Sequence, residues 1–210
     1  TCIVLFSSFF LSILKISKES HNTAEVINSI PLKNIGLLEN DVRDLIAEKI
    51  SDILPDVKLI ATEFNGWENS GRRLDILGID RDKNLVAIEI KRDNDGAHAE
   101  LQVLRYAAML SVCSIDTILQ VGLQHRRKQE SNILFDDYEN EILEFLNITN
   151  KEDVEFSKIP RIVIVSSNFS KEITTTVMWL NDCLRVNPNF IDISCYELRA
   201  YLINENPILH

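Results

Sequence analysis

The sequence predicts an α/β domain in which a mixed central sheet is flanked by helices. Three observations carry this. Short runs rich in β-branched residues recur along the chain: VKLIATEF, LDILGID, NLVAIEIK, RIVIVSS and FIDISCYELRAYL. Stretches of helical period lie between most of them. Two of the runs are separated only by the polar Arg81, Asp82 and Lys83, as in a hairpin, whereas RIVIVSS is apolar throughout, as a central strand is.

In chain order, TCIVLFSSFFLSILK is unusually apolar. No basic segment precedes it, no small-residue cleavage site is clear, and it is short for a transmembrane helix. Three readings stay open: a packed strand or helix, a membrane or signal segment, and a non-native extension, with the first and third favoured. The chain starts on Thr1, as a fragment or a misplaced gene start would. Residues 15–33 are polar and read as linker or edge structure. The division expected is an extension over residues 1–34 and a domain over residues 35–210.

Residues 36–54 predict a helix, with Leu37, Val42, Leu45, Ile46, Ile50 and Ile53 on one broad apolar face. Asn40 and Asp41 suit its first turn, and Pro55 stops it. Residues 57–64 predict the first strand. Trp67 lies in the polar loop that follows and either stacks on a base or packs over the sheet edge. Beyond the hairpin, residues 97–113 predict a helix, with His98 as a helix-start residue. Residues 117–123 extend that helix or form a strand. Residues 135–146 predict an acidic amphipathic helix. Residues 161–167 predict a central strand, Ser170 caps a helix over residues 171–184, and residues 190–202 predict a last alternating strand.

Composition bounds the function. Of 210 residues, 45% are hydrophobic and 26% charged, ordinary values for a soluble globular protein, so no stable membrane association is expected. A net charge of −10 argues against broad nonspecific adhesion to nucleic acid but permits a local basic groove. Arg72, Arg73, Lys91 and Arg92 form one basic cluster. His125 to Lys128 forms another, which is either a phosphate contact or a solvated helix end. The four cysteines have no zinc spacing and are too few for a disulfide framework. Cys113, Cys183 and Cys195 sit in apolar contexts and read as small core residues. A reducing cytoplasm fits. There is no Gly-rich phosphate loop and no repeat.

The chemistry concentrates between Gly71 and Tyr106, GRRLDILGIDRDKNLVAIEIKRDNDGAHAELQVLRY. Side chains alternate along a strand, so Glu89 and Lys91 share a face. A three-residue loop, Arg81 to Lys83, pairs Asp80 with Asn84 and sets Asp75 opposite Glu89. A two-residue Asp82-Lys83 turn would instead send the two carboxylates to opposite faces. The odd-length loop is the expectation. Two facing carboxylates repel. A divalent cation removes that repulsion, and Mg²⁺ (or Mn²⁺) favours one or two carboxylates together with waters and phosphate oxygens. Lys91 is placed to hold a phosphate or to help deprotonate a water. Gln102 and Tyr106, four apart, share one face of the next helix. Together these residues read as a metal-dependent nuclease site.

The stretch resembles the PD-(D/E)xK nuclease superfamily, through Asp75 and the Glu89-Ile90-Lys91 triplet. Gln102-Val-Leu-Arg-Tyr106 resembles the QxxxY motif of its RecB-type branch. GRRLDILGID, LVAIEIKR and QVLRYAAML are most similar to the NucS-type endonuclease catalytic domain, over about residues 35–202. The resemblance implies a restriction-endonuclease-like fold, with Asp75 and Glu89 as metal ligands, Lys91 assisting the attacking water, and Gln102 and Tyr106 bracing the site. A helix such as residues 36–54 often supplies one more carboxylate in this superfamily. Glu39 is the candidate, although a helix-start acid favoured by the macrodipole accounts for it equally well. Glu48 is a weaker one. The expected function is Mg²⁺- or Mn²⁺-dependent hydrolysis of phosphodiester bonds, in DNA foremost. Arg72, Arg73 and Arg92 would contact the nucleic acid, and a homodimer is allowed. Full NucS-type proteins carry a separate N-terminal domain for DNA binding and dimerisation, which nothing here supplies, so mismatch specificity is not implied. Two rivals remain: a noncatalytic module of the same fold that binds nucleic acid or a protein, and a nuclease domain cut from a larger defence or mobile-element protein.

Overall fold

The computed structural model describes residues 2–7, 10–16, 24–65, 73–91, 99–184, 193–203 and 206–210. By its contacts the chain divides into two units. One is made of residues 1–38 with 198–210, the other of residues 39–197. A sequence boundary at residue 34 leaves the C-terminal stretch with the large unit, whereas the contacts group it with the N-terminal one.

The apolar start of the chain forms a hairpin, β1 (Cys2–Ser7) and β2 (Phe10–Ile16), extended by the edge strand β3 (Ala24–Ile27). All pairing in this sheet is antiparallel. A 3-10 turn over Leu32–Ile35 ends at Gly36, whose φ of 76° is the left-handed conformation that glycine tolerates.

The large unit begins with α1 (Glu39–Glu48) and the short α2 (Ile50–Ile53), so the expected helix over residues 36–54 is shorter and interrupted. Lys49 leaves the helical backbone between them, at φ −105° and ψ 18°. The apolar face is correspondingly narrower. Val42, Ile46 and Ile50 are buried, but Leu45 and Ile53 are exposed. Then come β4 (Val57–Phe64), β5 (Leu74–Asp80) and β6 (Leu85–Lys91), an antiparallel group on which α1 packs. Three helices follow: α3 (Ala99–Leu110), α4 (Ile115–Arg126) and α5 (Phe135–Leu146). Residues 117–123 therefore belong to a helix. Ser114 starts α4 by accepting a hydrogen bond from the Thr117 amide at 3.2 Å. In α5, Tyr138, Ile142, Leu143 and Leu146 form the buried stripe, and Asn147 closes the helix at φ 55°. β7 (Arg161–Ser166) runs parallel to β6. α6 (Lys171–Leu184), capped by Ser170, leads to β8 (Ile193–Glu197), parallel to β7.

The sheet order is β4-β5-β6-β7-β8, a mixed sheet flanked by helices, as the sequence predicts. β5 and β6 are interior strands buried on both faces, which is why their sequences are almost continuously apolar. Leu77, Ile79, Leu85 and Ala87 form one core with Tyr106, Leu110, Ile118 and Ile142. Ile162 and Ile164 form another with Ala107, Val177 and Ile193. At Gly78 any Cβ would lie 2.7 Å from Val57 Cγ1, so the close approach of β4 to β5 requires glycine there.

The strand expected over residues 190–202 is divided: residues 190–192 lie outside the described residues, and the rest does not form one strand. β8 ends at Glu197. β9 (Ala200–Ile203) then pairs with β10 (Asn206–Leu209) in a separate antiparallel sheet, and the Ile30 amide bonds to the Ala200 carbonyl at 2.8 Å. An alternating pattern cannot show that its second half has changed partner. Cys195 is a second correction: it lies on the edge strand β8 and is exposed, while Cys113 is half-buried. Cys183 lies outside the residues whose side chains are described. The basic run from His125 closes α4. Arg126 pairs with Glu130 at 3.2 Å, and the Arg127 guanidinium donates to the Ile133 carbonyl at 3.3 Å.

Candidate active site

The β5–β6 hairpin places the acids. Its loop is Arg81 to Lys83, closed by Asp80. Asp80 Oδ1 accepts hydrogen bonds from the amides of Asp82 at 3.0 Å and Asn84 at 2.8 Å, and the Asp80 amide donates to the Asn84 carbonyl at 3.0 Å. Asn84 Nδ2 donates to Asp80 Oδ2 at 2.9 Å. The ladder then runs Ile79–Leu85, Gly78–Val86, Leu77–Ala87 and Ile76–Ile88. One step further sets Asp75 across from Glu89, on a shared face, as the odd-length loop predicts.

Within this pair Asp75 Oδ2 accepts a hydrogen bond from the Ile90 amide at 2.8 Å. Glu89 is only 1% exposed. Its Oε1 accepts from Lys91 Nζ at 2.8 Å, while its Oε2 is buried and has no hydrogen-bond partner among the described residues. Glu39, at the start of α1, brings a carboxylate oxygen to 3.8 Å from Lys91 Nζ. The ammonium thus lies within ion-pair distance of Glu89 and Glu39. Among the described residues no three His, Cys, Asp or Glu side chains are grouped as a metal site. The site offers a facing pair, and Glu39 is not assembled with it as a third ligand.

The electrostatics follow from this crowding. Burial, with the charge of Asp75 next, raises the Glu89 carboxyl from 4.5 to about 7. Burial also raises Asp75, against the Ile90 hydrogen bond and the positive charges of Lys91 and Arg43. For Lys91, burial alone would lower the ammonium. The hydrogen bond and charge of Glu89, with Glu39 and Asp75, outweigh it and hold Lys91 above its ordinary value. Lys91 is therefore a cation in the free protein.

The helix pair predicted from the sequence meets the site through the backbone. Gln102 Nε2 donates to Tyr106 Oη at 3.0 Å, and the Tyr106 hydroxyl donates to the Arg73 carbonyl at 2.6 Å. Tyr106 is 1% exposed and ties α3 to the chain two residues before Asp75. Arg73 is exposed and reaches Glu63 at 3.4 Å. Arg72, Arg92, Trp67 and His98 lie outside the described residues. Glu48 forms an exposed pair with Lys49 at 3.2 Å.

Two residues were not singled out from the sequence. Arg43 is nearly buried on α1, one turn after Glu39. Glu63, near the end of β4, has a φ of 50°. Their side chains pair at 3.0 Å. The four-residue spacing of Glu39 and Arg43 was a usable signal, because it puts both on one helix face.

The family model described as "Endonuclease NucS C-terminal domain" matches residues 38–159, more than half of the chain. The chain belongs to this family. The matched span contains Glu39, Asp75, Glu89, Lys91, Gln102 and Tyr106, and it stops before β7. The domain is thus nuclease-related. Among solved structures, the EndoMS-dsDNA2 complex is similar at 13% sequence identity and a TM-score of 0.39, over 94% of this chain and 64% of that one. This chain thus spans less than two thirds of that protein. A search of curated proteins finds no match.

Proposed function

We propose that the domain hydrolyses phosphodiester bonds in a reaction that depends on Mg²⁺ or Mn²⁺, with DNA as the first substrate. One observation carries the reading: Glu89 is a buried carboxylate, faced across the ladder by Asp75, with one oxygen unpartnered. Such an arrangement is costly to keep without a cation, and it fits a hard ion that takes one or two carboxylates. Asp75 and Glu89 would hold the ion, with Glu39 as a third acid nearby. When bound, the ion polarises a phosphoryl oxygen and lowers the pKa of a water.

The other roles belong to the chain's own groups. The Ile90 amide fixes the Asp75 carboxylate in orientation. Lys91 holds Glu89 Oε1 and, as a cation, is suited to bind a phosphate oxygen and balance the charge that develops on it. Its raised pKa opposes the role of general base as long as the neighbouring acids are charged. Tyr106, oriented by Gln102, anchors the Arg73 backbone and with it the start of β5.

The test is a panel of labelled DNA and RNA substrates incubated with Mg²⁺, Mn²⁺ or EDTA. The wild type should cut with either metal and not in EDTA, and Glu89→Gln should cut nothing while remaining folded. Should the wild type bind Mn²⁺ in a calorimeter yet cut no substrate, the domain is a noncatalytic binding module.

A further inference from the structure

Two arginines converge on a single carboxylate oxygen beside the acidic pair. Arg43 Nη1 lies 3.0 Å from Glu63 Oε1, and Arg73 Nη1 lies 3.4 Å from the same atom. The arginines come from different elements, α1 and the chain entering β5. Arg43 is held in place independently of Glu63. Its Nε and Nη2 both bond Asp44 Oδ1 at 2.9 Å, and Asn40 Oδ1 accepts from Nη1 at 3.3 Å. Its guanidinium is therefore pre-positioned, which reduces the entropy lost when it takes a ligand.

Glu63 is the odd member. β4 and β5 pair at Thr62–Ile76 and at Phe64–Leu74, so Glu63 lies in the row of Asp75, and Asp75 lies in the row of Glu89. On three regular strands these carboxylates would stand side by side. Glu63 instead has a φ of 50°, a conformation unfavourable for a residue with a Cβ, and its carboxylate is spent on the two arginines. Two guanidinium groups, each giving one nitrogen to a single anionic oxygen, can hold a phosphate oxygen in the same way. The site adjoins the acidic pair: Arg43 acts on the Asp75 carboxyl electrostatically, and Arg73 is two residues from it.

We propose that Arg43 and Arg73 form a phosphate clamp for the nucleic-acid backbone, and that in the free protein the Glu63 carboxylate occupies the place of the phosphate oxygen. Binding exchanges one anion for another: a backbone phosphate takes the two guanidinium groups, and Glu63 is released toward solvent. The inference rests on the reading of this domain as one that acts on phosphodiesters, and it adds Arg43 and Glu63 to the surface that reads them.

The experiment measures binding of a short fluorescein-labelled DNA duplex, and of its single strand, to the full chain in EDTA over a range of salt. Glu63→Gln should tighten binding by about three- to tenfold, the effect expected from removing one competing charge. Arg73→Gln should weaken binding and lower the salt slope by about 0.9 on the duplex or about 0.7 on the single strand. Arg43→Lys, which keeps the charge in case Arg43→Gln fails to fold, should also weaken binding, because an ammonium cannot keep the Asp44 and Asn40 bonds that position the cation and hold the phosphate as well. In the Arg43→Lys/Arg73→Gln background, Glu63→Gln should lose most of its effect. The clamp is overturned if Glu63→Gln leaves affinity unchanged or weakens it, since Glu63 then only anchors α1. It is equally overturned if the gain persists in the doubly substituted background, since that is a general charge effect. A wild type that cuts with Mg²⁺ while Glu63→Gln binds no tighter keeps the nuclease reading and removes the clamp. A wild type that shows the full binding pattern but never cuts does the reverse. A protein that binds neither duplex nor strand in EDTA, with or without Glu63, removes the clamp, and cleavage with Mg²⁺ or Mn²⁺ alone then decides the nuclease reading.

Discussion

Glu89 shows what the site demands of a single residue. Its carboxyl titrates at 4.5 in the unfolded chain and at about 7 in the folded one. Between those values the folded protein holds more protons than the unfolded one, so metal-free stability falls as pH rises. The stabilisation is fully present below 4.5 and is lost by about 7, an effect on the order of 3 kcal/mol. Thermal melts in EDTA from pH 5 to pH 8 should therefore show a falling midpoint. Glu89→Gln should flatten that profile and melt higher than wild type at pH 8. A flat wild-type profile would remove the buried-acid account. The same proton opposes a bound cation, so Mn²⁺ affinity should rise with pH over the same window.

At the scale of elements, the site is a consequence of one hairpin register. Asp80 is 3% exposed and spends both carboxylate oxygens on the loop that follows it. Asp80→Ala removes the acceptor that ties the Asp82 and Asn84 amides and the Asn84 side chain into the loop, and should cost about 1–3 kcal/mol in urea unfolding, with loss of cleavage as Asp75 and Glu89 lose alignment. Unchanged stability would mean that the apolar pairs alone set the register. This part of the molecule was legible in the sequence, because a three-residue loop between two strands decides which side chains share a face. Elements whose own residue pattern marks their buried face were legible as well; α5 and β4 are examples. What was hidden depended on partners elsewhere. The exchange of partner after Glu197, the exposure of Cys195 on an edge strand and the break at Lys49 leave no mark on local periodicity. Nor does the pairing of Arg43 with Glu63, which joins residues 20 apart in the chain through a backbone angle.

At the scale of the whole molecule, a chain of net charge −10 that acts on a polyanion, as proposed, has to meet it through local positive groups and the proposed cation. The proposed metal would therefore bear on stability as well as on chemistry. Without it, Asp75 and Glu89 repel, and Lys91 offsets only part of that repulsion. A cation that binds only the folded state stabilises it by about 2.7 kcal/mol at a concentration 100 times its dissociation constant. Wild type and Lys91→Ala should both gain melting temperature as Mn²⁺ is added, because Lys91 is not a ligand. Asp75→Asn and Glu89→Gln should gain little, although each starts from a higher metal-free value above pH 7. Cleavage should be lost in Lys91→Ala as well as in both acid variants, so stabilisation and activity separate only at Lys91. Equal Mn²⁺ stabilisation of all four proteins would place the ion elsewhere. A Lys91→Ala protein that fails to bind Mn²⁺ would mean that the ammonium organises the carboxylates for the cation, not the phosphate beside it.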